Sequence, residues 1–190
     1  MEAQVASIVR GRRVFDLGSG NGTLARWLVK VGKAAHVTAI DRSPDGKYSN
    51  KRLTQVIGYF DNVDLPERID VGFVSWPSNR HLSGLVPILE RCDVVIYLGC
   101  NDKTVMCGFP ALFRHMLGRK LIAFLPDSRN SMVIVGERLP EGETREPTPE
   151  EAHGLEVWSQ IRPNDGLDTL LMGFHFTVDL PYRLVPDGTE

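Results

Sequence analysis

The sequence has 190 residues, enough for one domain with a developed core, and its 42% hydrophobic and 24% charged content is that of an ordinary globular chain. No apolar run approaches the ~20 residues that span a bilayer, and the net charge of −2 offers no bulk attraction for nucleic acid. The three cysteines, Cys92, Cys100 and Cys107, include no CxxC pair, so neither a disulfide framework nor a metal site is expected. The opening segment, MEAQVASIVRGRR, lacks the basic-then-apolar order of a signal peptide, and the expectation is a cytoplasmic protein without a membrane partner. Arg10, Arg12 and Arg13 read as a solvated entry to the first strand.

In chain order, Val14–Leu17 is a short apolar strand stopped by Gly18. Leu24, Trp27, Leu28 and Val31 then recur at i, i+3, i+4, i+7, which predicts one buried helix face, with Gly32 placed to end it. Val37–Ile40 is the second strand and stops at Asp41, and the polar stretch 42–50 begins as a loop. Gln55–Phe60 and Ile69–Val74 read as the third and fourth strands. A helical stripe of Leu82, Leu85, Val86 and Leu89 contains Pro87, which should kink or shorten it. Asp93–Leu98 is a fifth strand, and Phe109, Leu112, Phe113, Met116 and Leu117 form a third helical stripe.

Lys120–Leu125 and Met132–Val135 are the last two strands of this series. Only five residues separate Leu125 from Ser131, too few for a crossover helix, so this pair must be an antiparallel hairpin. Apolar strands alternating with helices predict an α/β fold of Rossmann-like type. Its sheet is mostly parallel and seven-stranded, with a reversed last strand and helices on both faces. Residues 1–136 form that domain. Residues 137–190 are expected as an extension packed on it, with a loop, a short helix begun at Thr148 and Pro149, and a strand over Leu170–Val178.

The stretch VFDLGSGNGTLARWLVK, residues 14–30, carries the most chemistry. A strand runs into Asp16, Gly18, Gly20 and Gly22 alternate, and a helix begins. The glycines permit a tight turn and close approach of backbone to a ligand, and the helix start offers unpaired N–H groups. Asp41, nineteen positions after Gly22, closes the second strand, where a carboxylate can accept both hydroxyls of a ribose. An acid two residues before the first glycine would repel a pyrophosphate, which disfavours a nicotinamide-dependent dehydrogenase, and would favour a ligand carrying an ammonium.

Over roughly residues 12–136 the chain resembles the class I S-adenosylmethionine-dependent methyltransferases. Asp16, Gly18, Gly20 and Gly22 match that family's glycine-rich motif, and Asp41 matches its acidic residue after the second strand. The resemblance implies S-adenosylmethionine as cofactor. Asp16, Gly18, Ser19, Gly20, Asn21 and Gly22 would lie around its methionine portion, Asp41 and Arg42 around its ribose, and Asp61 and Asn62 near its adenine ring. The reversed seventh strand of the family agrees with the hairpin. At the end of the fourth strand, Ser75, Trp76 and Pro77 partly resemble the polar-Pro-Pro-aromatic motif of amino-methylating members, but the aromatic precedes a single proline. The resemblance therefore implies a methyltransferase whose acceptor, macromolecule or small molecule, is unidentified and extends to an amino group. The alternative is a non-catalytic cofactor-binding module or partner subunit.

Overall fold

The structure is a computed structural model that describes residues 2–44, 46–77, 82–100, 112, 115–116, 118–126 and 131–146. The expected helix at Thr148, the strand over Leu170–Val178 and most of the stripe from Phe109 to Leu117 lie outside these residues, although Leu112, His115 and Met116 are helical. Among the described residues, no helix is long and apolar enough to cross a membrane.

The elements run α1 (Glu2–Val9), β1 (Arg13–Leu17), α2 (Thr23–Lys30), β2 (His36–Asp41), β3 (Leu53–Ile57), a single 3-10 turn (Phe60–Asn62), β4 (Ile69–Ser75), α3 (Leu82–Glu90), β5 (Cys92–Cys100), β6 (Lys120–Pro126) and β7 (Ser131–Glu137). The chain divides into two units, Met1–Ser75 with Ser83–Ile96, and Trp76–Leu82 with Tyr97–Glu190. In the first unit the strand order is β3-β2-β1-β4-β5; in the second, β5 is followed by β7 and β6.

β1 pairs in parallel with β2 and β4, and β2 with β3. Val14, Leu17, Val37, Ala39, Ile40, Val71, Phe73 and Val74 are buried, as in strands covered on both faces. Leu17 pairs with Ile40 on one side and Val74 on the other, so β1, β2 and β4 end level. The strand order reverses between β1 and β4, and in open α/β sheets ligands lie beyond the carboxyl ends of the strands at such a point. In the second unit β6 and β7 pair antiparallel from Lys120↔Glu137 to Pro126↔Met132, the hairpin that the short connection requires.

Four details differ from the sequence reading. Helix α1 was not foreseen; its short segment buries Val5, Ala6 and Val9, and a Cβ on Gly32 would come within 2.8 Å of Val9. The buried stripe of α2 is Ala25, Leu28 and Val29, whereas Leu24 and Trp27 are half-buried and Val31 lies beyond the helix end, 50% exposed. Strand β3 is Leu53–Ile57 rather than Gln55–Phe60, because buried Leu53 pairs with Val37 while Ile57 and Tyr59, apolar in sequence, are exposed. Helix α3 continues through Pro87 to Glu90, with Pro87 on its exposed side.

Candidate functional site

The first unit gathers the glycine-rich turn, Asp16 and Asp41 at the carboxyl ends of β1 and β2. Gly18, Gly20 and Gly22 all have positive φ, at 88°, 51° and 70°. L side chains rarely adopt this region, so the glycines are required by the backbone path. A Cβ built on Gly18 or Gly20 would meet nothing within 4 Å, so the turn borders open space there. The turn is pinned from beneath. The Gly18 and Ser19 amides donate to the Ile40 carbonyl at 2.8 and 3.0 Å, and the Gly22 amide donates to Ser19 at 2.8 Å. Ahead of α2, whose N-cap is Gly22, Asn21 Oδ1 accepts from the Thr23 amide at 3.0 Å in an Asx turn.

Asp41 is tied to the same turn. Its Oδ2 accepts from the Gly20 amide at 2.8 Å and its Oδ1 from the Ser43 amide at 2.9 Å. A carboxylate has about four acceptor positions, so further donors can still be accepted. Arg42, the next residue, is exposed.

Asp16 is fully buried, and among the described residues neither of its carboxyl oxygens has a hydrogen-bond partner. A buried, unpaired charge is expensive, and the group responds by holding its proton. Burial first, and the neighbouring Asp41 charge second, push its pKa up to about 7. Two acids thus bracket one glycine turn, and the inner one lacks a donor among the described residues. This arrangement attracts a cation or hydrogen-bond donor and repels a phosphate.

The remaining expected site residues are placed as follows. Asp61 and Asn62 are exposed on the 3-10 turn that follows β3, four and five positions beyond the Ile57 that pairs with Asp41. Ser75 is the last residue of β4, one position past the Leu17↔Val74 pair. Trp76 is 49% exposed, so it is not a core tryptophan. Its φ of 50° is unusual for a bulky residue, and its amide donates to the Leu98 carbonyl at 2.8 Å. Pro77 is buried.

Sequence reading missed Tyr48, an aromatic inside the polar β2–β3 loop. Its hydroxyl is 2.7 Å from Ser19 Oγ, and its ring lies against Gly22, where any Cβ would overlap it. The only signal was an aromatic residue in an otherwise polar stretch.

No family model matches the chain, and no curated protein matches it by sequence. Solved structures do match. A candidate RNA methyltransferase from Pyrococcus horikoshii is 15% identical over 75% of this chain and 81% of its own, with a TM-score of 0.56. An rRNA methylase from Streptococcus thermophilus is 14% identical, covering 73% of this chain and 94% of its own, with a TM-score of 0.53. The chain shares the fold of these two structures, a mostly parallel sheet with an antiparallel last pair. A variant of MtNAS in complex with S-adenosylmethionine also matches, at 17% identity over 73% of this chain and 59% of its own, with a TM-score of 0.50. At these identities the likeness is one of fold.

Proposed function

We propose that the chain is a cytoplasmic S-adenosylmethionine-dependent methyltransferase. The observation that carries this reading is Asp16, a fully buried carboxyl whose two oxygens have no partner among the described residues, beside a glycine turn bordered by open space. These residues fit the cofactor, which carries an ammonium for a lone carboxylate, two ribose hydroxyls for a second, and no phosphate. When bound, the cofactor supplies a methyl group on a sulfonium that is already a leaving group.

The residues of the chain then have distinct duties. Asp16 would hold the ammonium, and Asp41, already oriented by the Gly20 and Ser43 amides, would accept the ribose hydroxyls. Gly18, Ser19, Gly20, Asn21 and Gly22 would give the methionine portion a backbone wall without side chains in the way. Arg42 would flank the ribose, and Asp61 and Asn62 the adenine ring. Ser75, Trp76 and Pro77 would orient the acceptor, an amino group among the candidates, with Trp76 offering a flat face to a planar one. Alignment of the acceptor is most of what such a transfer asks of a protein.

Calorimetry with S-adenosylmethionine tests the cofactor half. Charge-assisted hydrogen bonds are worth ~1.5–3 kcal/mol each, so Asp41→Ala should weaken binding at least tenfold in a folded protein. Unchanged affinity would remove Asp41 from the site. A second reading, a cofactor-binding module or partner subunit without transfer activity, is favoured by the aromatic-before-proline order of Ser75, Trp76 and Pro77. Single-turnover transfer of labelled methyl to RNA, protein and small-molecule acceptors separates the two.

A further inference from the structure

The β2–β3 loop does more than join two strands. Tyr48 in this loop touches the glycine turn at three successive levels. Its hydroxyl is 2.7 Å from Ser19 Oγ and 3.5 Å from the Gly20 carbonyl. The two contacts are compatible, with Ser19 donating to the phenol oxygen and the phenol donating onward to Gly20. The ring covers Gly22, leaving no room for a side chain there. The Arg26 guanidinium of α2 stands over the ring, 5.5 Å from its centre. The loop is in turn fixed from β3, where Gln55 Oε1 accepts from the Tyr48 amide at 3.3 Å and Gln55 Nε2 donates to the Gly46 carbonyl at 2.8 Å.

A turn with three glycines at positive φ is soft on its own, since glycine loses more conformational freedom on ordering than any other residue. If that ordering happened on ligand binding, it would be subtracted from the affinity; performed in the free protein, it is not. The geometry points to Tyr48 as the positioning residue that preforms the glycine turn for the cofactor, acting through Ser19, Gly20 and Gly22. This inference rests on the cofactor reading above. It assigns to the β2–β3 loop a role in affinity that is separate from the ribose contact of Asp41.

The test uses the full chain and S-adenosylhomocysteine as the probe. Tyr48→Phe keeps the ring on Gly22 and removes only the hydroxyl. Ser19→Ala breaks the same hydrogen bond from the other side and serves should the first variant fold poorly. Each should weaken binding about fivefold, the worth of one hydrogen bond. The double variant should be no weaker than the weaker single one. Amide hydrogen exchange over residues 18–22 of the free protein should speed up while exchange in β1 and β4 stays unchanged, a local effect that general destabilisation would not produce. Equal affinity for Tyr48→Phe and the parent, strictly additive losses, or faster exchange throughout the sheet would each overturn the role of Tyr48. A parent protein that does not bind the probe at all would instead overturn the cofactor reading itself.

Discussion

Asp16 is where a single residue decides the electrostatics of the turn. Its carboxyl sits within β1 among apolar neighbours, and burial together with Asp41 raises its pKa from 3.8 to about 7. A cationic group placed against it would favour the ionised form and lower that pKa again. Ligand binding should therefore release a proton, and affinity should rise as pH rises through 7. With the free carboxyl titrating near 7 and the bound one ionised throughout, S-adenosylmethionine should bind about tenfold more tightly at pH 8 than at pH 6. Asp16→Asn cannot titrate, so its affinity should be weaker and flat over the same interval. Calorimetry in two buffers of different ionisation enthalpy measures both the affinity and the proton released. A parent whose affinity is independent of pH would remove Asp16 from contact with the ligand charge.

The β1–α2 turn and the end of β4 give predictions that belong to elements. Gly20 and Gly22 both have positive φ, but their surroundings differ: open space at Gly20, the Tyr48 ring at Gly22. Gly20→Ala should cost only the left-handed conformation, about 1–2 kcal/mol, and should lose ligand affinity because the methyl enters the open space. Gly22→Ala should cost clearly more in denaturant melts, and combining it with Tyr48→Ala should recover the excess. Equal costs for the two single alanines would mean that Tyr48 moves freely off the turn. Trp76 carries the same backbone strain with a bulky side chain, so Trp76→Gly should melt at or above Trp76→Ala by calorimetry. Much of this was legible in sequence. The buried parallel strands announced themselves as apolar runs, the hairpin followed from a connection too short for a helix, and the D-x-G-x-G-x-G spacing marked the turn. What was not legible depended on tertiary context. The segment Glu2–Val9 is too short for its periodicity to stand out, and the run Gln55–Phe60 is apolar at exposed Ile57 and Tyr59. The hold of Tyr48 on Ser19 comes from a fold-back of 29 positions that no local pattern encodes.

For the whole molecule, the site and the stability of the chain are in opposition, and Asp16 makes the conflict measurable. A carboxyl whose pKa is raised on folding keeps a proton that the unfolded chain releases. Its stabilising contribution is complete below about pH 4 and is lost as pH rises through about 7. A shift of about three pKa units corresponds to a few kcal/mol at most, a large share of the 5–15 kcal/mol that holds a typical domain together. At pH 8 the free protein therefore bears the buried charge in full, and a ligand that supplied a counter-charge would relieve it. Asp16→Asn removes that burden without changing the shape of the side chain. The variant should melt higher than the parent at pH 8 and at nearly the same temperature at pH 4.5. The ligand response should run the other way. Saturating the parent with S-adenosylhomocysteine at a hundred times its Kd adds about 2.7 kcal/mol by mass action, which for a chain of this size is a rise of roughly 5–10 °C. The variant should show a much smaller rise at the same ligand concentration. Melting curves of both proteins at two pH values, with and without ligand, contain the whole comparison. If Asp16→Asn melts lower than the parent at pH 8, the buried carboxyl is held by a structural partner, and its reading as a ligand site fails.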